Sequence, residues 1–193
     1  MVGDDGQRLE RGAGEPARLL PALASLRSGD REIRTILVPH EPTEAHLARS
    51  EAALDALGLR HVRLGALDPA SIPEIVIVDR VGVLGDLYAL ADMAYVGGGF
   101  GTAGLHSVLE PAAFGAPVLF GPRHANAREA AEMIAAAGAF EVPDEAALRD
   151  RLRALSDDAP HRRRGGDAAR AYVQANLGAA ERGAELVVGF LNG

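Results

Sequence analysis

Three glycines, Gly99, Gly101 and Gly104, spell G-x-G-x-x-G inside YVGGGFGTAGLHSVLEP, the stretch from Tyr95 to Pro111. An apolar run precedes them and a segment of helical period follows. Glycines so placed let a backbone approach a phosphate and set the anion at a helix N-terminus, which is dinucleotide chemistry. That fingerprint ordinarily opens its domain, and it asks for an acidic residue roughly 20 positions on to hold a ribose. Here several candidate strands come first, and the position on offer holds Arg123, which would suit only the 2′-phosphate of NADP. Ser107 and Glu110 also fit the S-x-x-E capping box, so the same residues can be read as a tight strand-to-helix turn that needs no ligand.

Other chemistries find little support. The chain has no cysteine, hence no thiolate nucleophile, no disulfide and no Cys-based zinc site. Its six histidines, His40, His46, His61, His106, His124 and His161, contain no pair spaced H-x-x-x-H, so no metal site and no cofactor are expected. A formal net charge of -7 and a pI of about 5.4 argue against bulk nucleic acid or an anionic membrane surface as the main partner. The run HRRRGG at 161 to 166 reads as a solvated helix start. No apolar run approaches the roughly 20 residues of a membrane-spanning helix, and MVGDDGQRLERGAGEP lacks a signal-peptide centre, so a cytoplasmic location is expected.

Candidate site residues need elements to hold them. Hydrophobic residues make up 48% of the 193-residue chain and aromatic ones only 4%, so the core must be built from Ala, Val, Leu and Ile. Short apolar runs alternate with segments of helical period, the pattern of repeated βα units. Strands are expected at 33 to 38, 61 to 64, 75 to 78, 93 to 97, 117 to 121 and 139 to 142. Helices are expected at 16 to 27, 43 to 57, 82 to 91, 107 to 114, 126 to 137 and 144 to 156, with two more helical stretches after Asp158 that break near Gly178. Thr43 and Asp144 are the expected N-caps, Asn126 a candidate third, and Gly58, Gly115 and Gly138 the expected stops. The fold class is α/β: a Rossmann-like doubly wound parallel sheet with a helical C-terminus.

Over a longer span, the residues match a known pattern. The pieces are Leu87-Tyr88-x-x-Ala91-Asp92, Tyr95-Val96-Gly97-Gly98, His106-x-x-Leu109-Glu110-Pro111, and Pro117 to Pro122 followed by Asn126, with Val38-Pro39-His40-Glu41 upstream. Together they resemble the C-terminal half of the 3-deoxy-D-manno-octulosonic acid (Kdo) transferases, GT-B glycosyltransferases that move Kdo from CMP-Kdo to a lipid A precursor. The resemblance implies a CMP-binding surface made by Pro39 and His40, by Gly82, Val83 and Leu84, and by Ser107, Val108, Leu109 and Glu110, with Gly98, Gly99, His106 and Asn126 as secondary candidates. Within it Glu110 would accept hydrogen bonds from ribose hydroxyls. Many relatives carry Gly-Glu-Leu where this chain has Gly82-Val83-Leu84, and His-Asn where it has His106-Ser107.

The resemblance further implies that an N-terminal half supplies the acceptor site, the catalytic carboxylate and the membrane-associating segment. No catalytic residue is therefore assigned in this chain, and the whole enzyme is expected at the cytoplasmic face of the inner membrane. The expected partition is a poorly ordered segment at 1 to 15 followed by the nucleotide-sugar domain at 16 to 193. The first strand of that half is expected to be missing, its place taken by GDDGQRLERGAGEP, as in a fragment. The other readings are a GT-B domain for a UDP-sugar, an NADP-binding module, and a degenerate fold acting only as an interaction partner.

Overall fold

The computed structural model describes residues 2–4, 15–26, 33–101 and 104–178. Strands β1 (Val2–Asp4), β2 (Thr35–Pro39), β3 (His61–Arg63), β4 (Ile75–Ile77), β5 (Ala94–Val96), β6 (Val118–Phe120) and β7 (Ala139–Glu141) form one sheet in the order β3-β4-β2-β1-β5-β6-β7. Every strand pairing in it is parallel. The helices are α1 (Glu15–Leu26), α2 (Glu44–Ala56), α3 (Leu84–Tyr88), α4 (Leu109–Ala113), α5 (Arg128–Ala135), α6 (Glu145–Asp157) and α7 (Ala159–Asn176). The arrangement is a Rossmann-like, doubly wound parallel sheet with helices on both faces, as the βα alternation predicts.

Strand β1 corrects the expectation that the first strand is missing. Val2–Asp4 pairs in parallel with Leu37–Pro39 on one side, and Val2 pairs with Tyr95 on the other, so β1 holds the central place that the sequence reading left empty. A strand of three residues carries no readable period. What defines it is the backbone hydrogen bonding offered by β2 and β5, and no pair of neighbours is left with the unpaired edge that was expected. The rest of the segment expected to be poorly ordered, and the helical stretch expected beyond Gly178, lie outside the described residues.

Both faces of the sheet are buried, and the alternation of strand side chains sorts the core into layers. Leu37, Ile75, Ile77, Tyr95 and Leu119 point to one face, where Leu19, Leu20, Leu23 and Leu26 of α1 meet Leu148, Leu152 and Leu155 of α6. Val96, Val118 and Phe120 point to the other, against Ala112 of α4, Met133 of α5 and Ala169 of α7. With so few aromatic residues the elements must come close. Gly138 shows how: a Cβ there would stand 2.6 Å from the Ala169 amide nitrogen of α7.

Helix starts follow the sequence where a side chain can reach back. Thr43 accepts from the His46 amide at 3.3 Å and Asp144 from the Ala147 amide at 2.8 Å, both as expected. Asp158 caps α7 in the same way through the His161 amide, at 2.8 Å. The HRRRGG run then lies inside α7, with Arg163 and Arg164 exposed and both glycines buried. Gly58 and Gly115 stop their helices at φ of 64° and 79°. Gly138 does not; the left-handed residue there is Ala137, at φ 59°, and Gly138 is glycine because of α7. The candidate cap Asn126 is displaced too, since α5 starts later, with Ala127 in the cap position and no side chain bonded to it.

Candidate functional site

The GGGFG turn after β5 is an internal junction. Gly98 stands at φ 91°, and a Cβ on it would collide with the Gly104 carbonyl. A Cβ on Gly99 would stand 2.5 Å from the Gly121 nitrogen in the loop after β6. Hydrogen bonds close the junction: the His106 amide donates to the Gly97 carbonyl at 3.1 Å and the Arg123 amide to the Gly99 carbonyl at 2.8 Å. Asn126 belongs here, its Oδ1 accepting from the Leu105 amide at 3.5 Å. The Arg123 guanidinium reaches the Gly101 carbonyl at 3.4 Å. The glycines therefore serve loop packing between the turns after β5 and β6.

The capping-box reading fails as well. Helix α4 begins at Leu109, its cap position is Val108, and no side chain bonds to that end. Ser107 and Glu110 are both exposed. Glu110 makes no hydrogen bond or ion pair with any described residue. With only five residues, α4 also has too little aligned backbone dipole to act as the anion site the sequence suggested.

Glu110 and Ser107 instead line a cleft of about 460 Å³ at the C-terminal ends of β2, β4 and β5. This lies beside the point where the chain switches direction across the sheet, the usual ligand crevice of open α/β folds. Three segments build it. The end of β2 brings Pro39 and His40; the turn after β4 brings Arg80, Gly82 and Leu84; the end of β5 and the approach to α4 bring His106 with Ser107 and Glu110. Leu84, Tyr88 and Tyr95 supply apolar wall, and the volume falls in the range of small-ligand sites.

The turn after β4 is anchored by Asp79, whose Oδ2 accepts from the Gly65 amide at 3.1 Å while its Oδ1 meets Arg80 Nε at 3.1 Å. Burial by itself would raise the Asp79 carboxyl; the hydrogen bonds from Arg80 and from Gly65 outweigh it, and its pKa is lowered. Gly82, at φ 85°, then turns the chain into α3. On that helix the Tyr88 hydroxyl is pushed up to about 12, first by burial and then by the nearby Glu110 charge. Across the cleft the His40 and His106 rings stack, with centroids 5.2 Å apart and planes 26° from parallel.

Seven of the expected residues thus meet at one cleft: Pro39, His40, Gly82, Leu84, His106, Ser107 and Glu110. The others do not line it. Val108 is wholly buried beneath α4, Leu109 faces outward, and Val83 is the cap residue of α3. Gly98, Gly99 and Asn126 hold the junction behind. Sequence reasoning missed Arg80, Tyr88 and Tyr95 as cleft residues; the signal for Arg80 was its place just past the end of a parallel strand.

No protein-family model matches the chain. Among curated proteins it is 32% identical over 175 residues to the 3-deoxy-D-manno-octulosonic acid transferase of Bordetella pertussis, covering 88% of this chain and 40% of that protein. It is 31% identical over 143 residues to the enzyme of the same name from Aquifex aeolicus, covering 74% of this chain and 39% of the relative. Among solved structures, the C-terminal CMP-Kdo binding domain of WaaA from Acinetobacter baumannii superposes with a TM-score of 0.76 at 23% identity, over 90% of this chain and 87% of that one. The chain is a relative of the Kdo transferase C-terminal half. It spans about 40% of the length of these Kdo transferases. The fold is shared more widely: WaaG, a glycosyltransferase involved in lipopolysaccharide biosynthesis, matches with a TM-score of 0.62 at 20% identity, over 97% of this chain and 46% of that one.

Proposed function

We propose that this chain is the donor-binding half of a Kdo transferase and holds the CMP moiety of CMP-Kdo in the cleft between β2, β4 and β5. The observation that carries the reading is Glu110. In a chain related to these transferases, its carboxylate faces the cleft and serves no capping, pairing or hydrogen-bonding duty among the described residues. A carboxylate left available beside apolar wall suits two adjacent ribose hydroxyls. The base then packs against Leu84 and Tyr88, and the phosphate meets Ser107, Arg80 and the imidazoles of His40 and His106.

Transfer itself is assigned to the complete enzyme. The acceptor hydroxyl oxygen bonds to the anomeric carbon of Kdo, the bond from that carbon to the phosphate oxygen breaks, CMP leaves, and the hydroxyl proton passes to a base. That base and the lipid A precursor are placed on the remaining part that the longer relatives carry, at the cytoplasmic face of the inner membrane. The cleft carboxylate Glu110 is committed to the donor.

Thermal melting with CMP, UDP and NADP tests the binding step. CMP is expected to give the largest rise in Tm. An equal or larger rise with UDP moves the reading to another GT-B donor, and one with NADP sinks it. For the transfer step, the chain mixed with CMP-Kdo and a lipid A precursor is expected to give product only when the remaining part of the enzyme is supplied. Product from the chain alone would refute the placement of the base.

A further inference from the structure

The stacked imidazoles pose a question that the nucleotide assignment leaves open. His40 stands at the end of β2, His106 between the glycine junction and α4, and their rings lie 5.2 Å apart inside the cleft. His40 is exposed, whereas Nε2 of His106 is shielded from solvent and has no hydrogen-bond partner among the described residues. A buried polar nitrogen without a partner is costly, and no hydrogen bond among the described residues repays that cost.

The charges around the pair narrow what that ligand is. Facing it are Glu110 from α4, Tyr88 from α3, Tyr95 from β5 and Arg80 from the turn after β4, with Glu41 next along the chain. Arg80 is paired with Asp79 at 3.1 Å, so much of its charge is already answered, while Glu110 adds negative charge to the cleft. A phosphate entering this cleft needs a further cation. Of the side-chain types present, imidazole alone ordinarily changes charge between pH 6 and 8. Two stacked rings repel one another when both are charged, so the pair favours one added proton, and an anion alongside favours that charged form. As an imidazolium, His106 has a donor at each ring nitrogen and adds positive charge beside an anion in the cleft.

We propose that His40 and His106 act as one proton-loaded clamp for the donor phosphate, so that the cleft takes up a proton as the nucleotide binds. The inference rests on the donor-binding reading of the same cleft and adds its pH dependence.

The probe is the methyl ester of CMP, whose single phosphodiester charge does not change across this pH range, with uncharged cytidine as the comparison. Titration calorimetry on the full chain is expected to show the ester binding on the order of tenfold more tightly at pH 6 than at pH 8, with cytidine unaffected by pH. Repeating the titration at pH 7 in buffers of different ionisation heat is expected to show net proton uptake. His106→Asn and His40→Asn should each flatten the pH dependence while melting like the parent. A slope that persists in both variants, an equal slope for cytidine, or ester binding without proton uptake would overturn the clamp while leaving the nucleotide reading intact. A UMP ester that binds as tightly as the CMP ester, with the same slope and uptake, supports the clamp and removes the cytidine assignment. No ester binding at either pH overturns both.

Discussion

Replacing Glu110 by glutamine separates binding from folding, because the structure gives this side chain no part in the fold. It lies in the first turn of α4 and is exposed, the helix end it could cap is not bonded by any side chain, and no described residue pairs with it. A surface substitution free of such duties changes stability by no more than about 0.5 kcal/mol. Hydrogen bonds from ribose hydroxyls to a carboxylate are charge-assisted and contribute about 1.5 to 3 kcal/mol together, and the amide keeps only part of that. At about 1.4 kcal/mol per decade, the variant should bind CMP roughly tenfold more weakly, and up to about a hundredfold if little is recovered. The assay is paired: calorimetry for affinity, and thermal or urea melting for stability. Tyr88 supplies an internal control, since the Glu110 charge helps hold its hydroxyl up at about 12 and the glutamine variant should lower it in an absorbance titration. Unchanged CMP affinity, with the tyrosine shift showing that the charge is gone, would refute the ribose assignment.

Other perturbations test the frame around the cleft. Gly99→Ala places a methyl 2.5 Å from the Gly121 backbone nitrogen, which cannot swing aside, so urea melts should show a loss of about 1 to 3 kcal/mol; Gly85→Ala, with nothing within 4 Å, should show none. Ala137→Gly relieves a left-handed φ of 59° and should raise stability by up to about 1 kcal/mol in the same assay. Arg63 joins β3 to α2 through Glu44 and Glu51, each at 2.7 Å, and these hydrogen bonds lower both carboxyl pKa values. A lowered carboxyl stabilises the fold above its unfolded pKa, and that contribution fades as pH falls through the folded one. The urea midpoint of Arg63→Met should therefore lie below the parent's at pH 7 and approach it toward pH 3; a gap that stays constant would show that the ion network does not titrate with the fold.

The sequence by itself determined the βα alternation, six of the seven strands among the described residues, the Leu, Val and Ala core, and the caps at Thr43 and Asp144. Each of these rests on interactions within a few residues of the chain, where side-chain period and capping chemistry are local. It also placed Pro39, His40, Gly82, Leu84, Ser107 and Glu110 past the ends of parallel strands, and strand order then brings those ends to one edge. What only the tertiary structure decided depends on contacts between distant segments. β1 is a strand because β2 and β5 pair with it on both sides, although Val2–Asp4 alone carries no signal. The glycine run looked like a phosphate loop, yet Gly98 and Gly99 are glycines because Gly104 and Gly121 lie against them. Ser107 and Glu110 had the spacing of a cap and form none, because α4 starts two residues beyond Ser107 and leaves both free to face the cleft. The His40–His106 stack was invisible for the same reason: two loops far apart in sequence meet only when the sheet sets β2 and β5 on either side of β1.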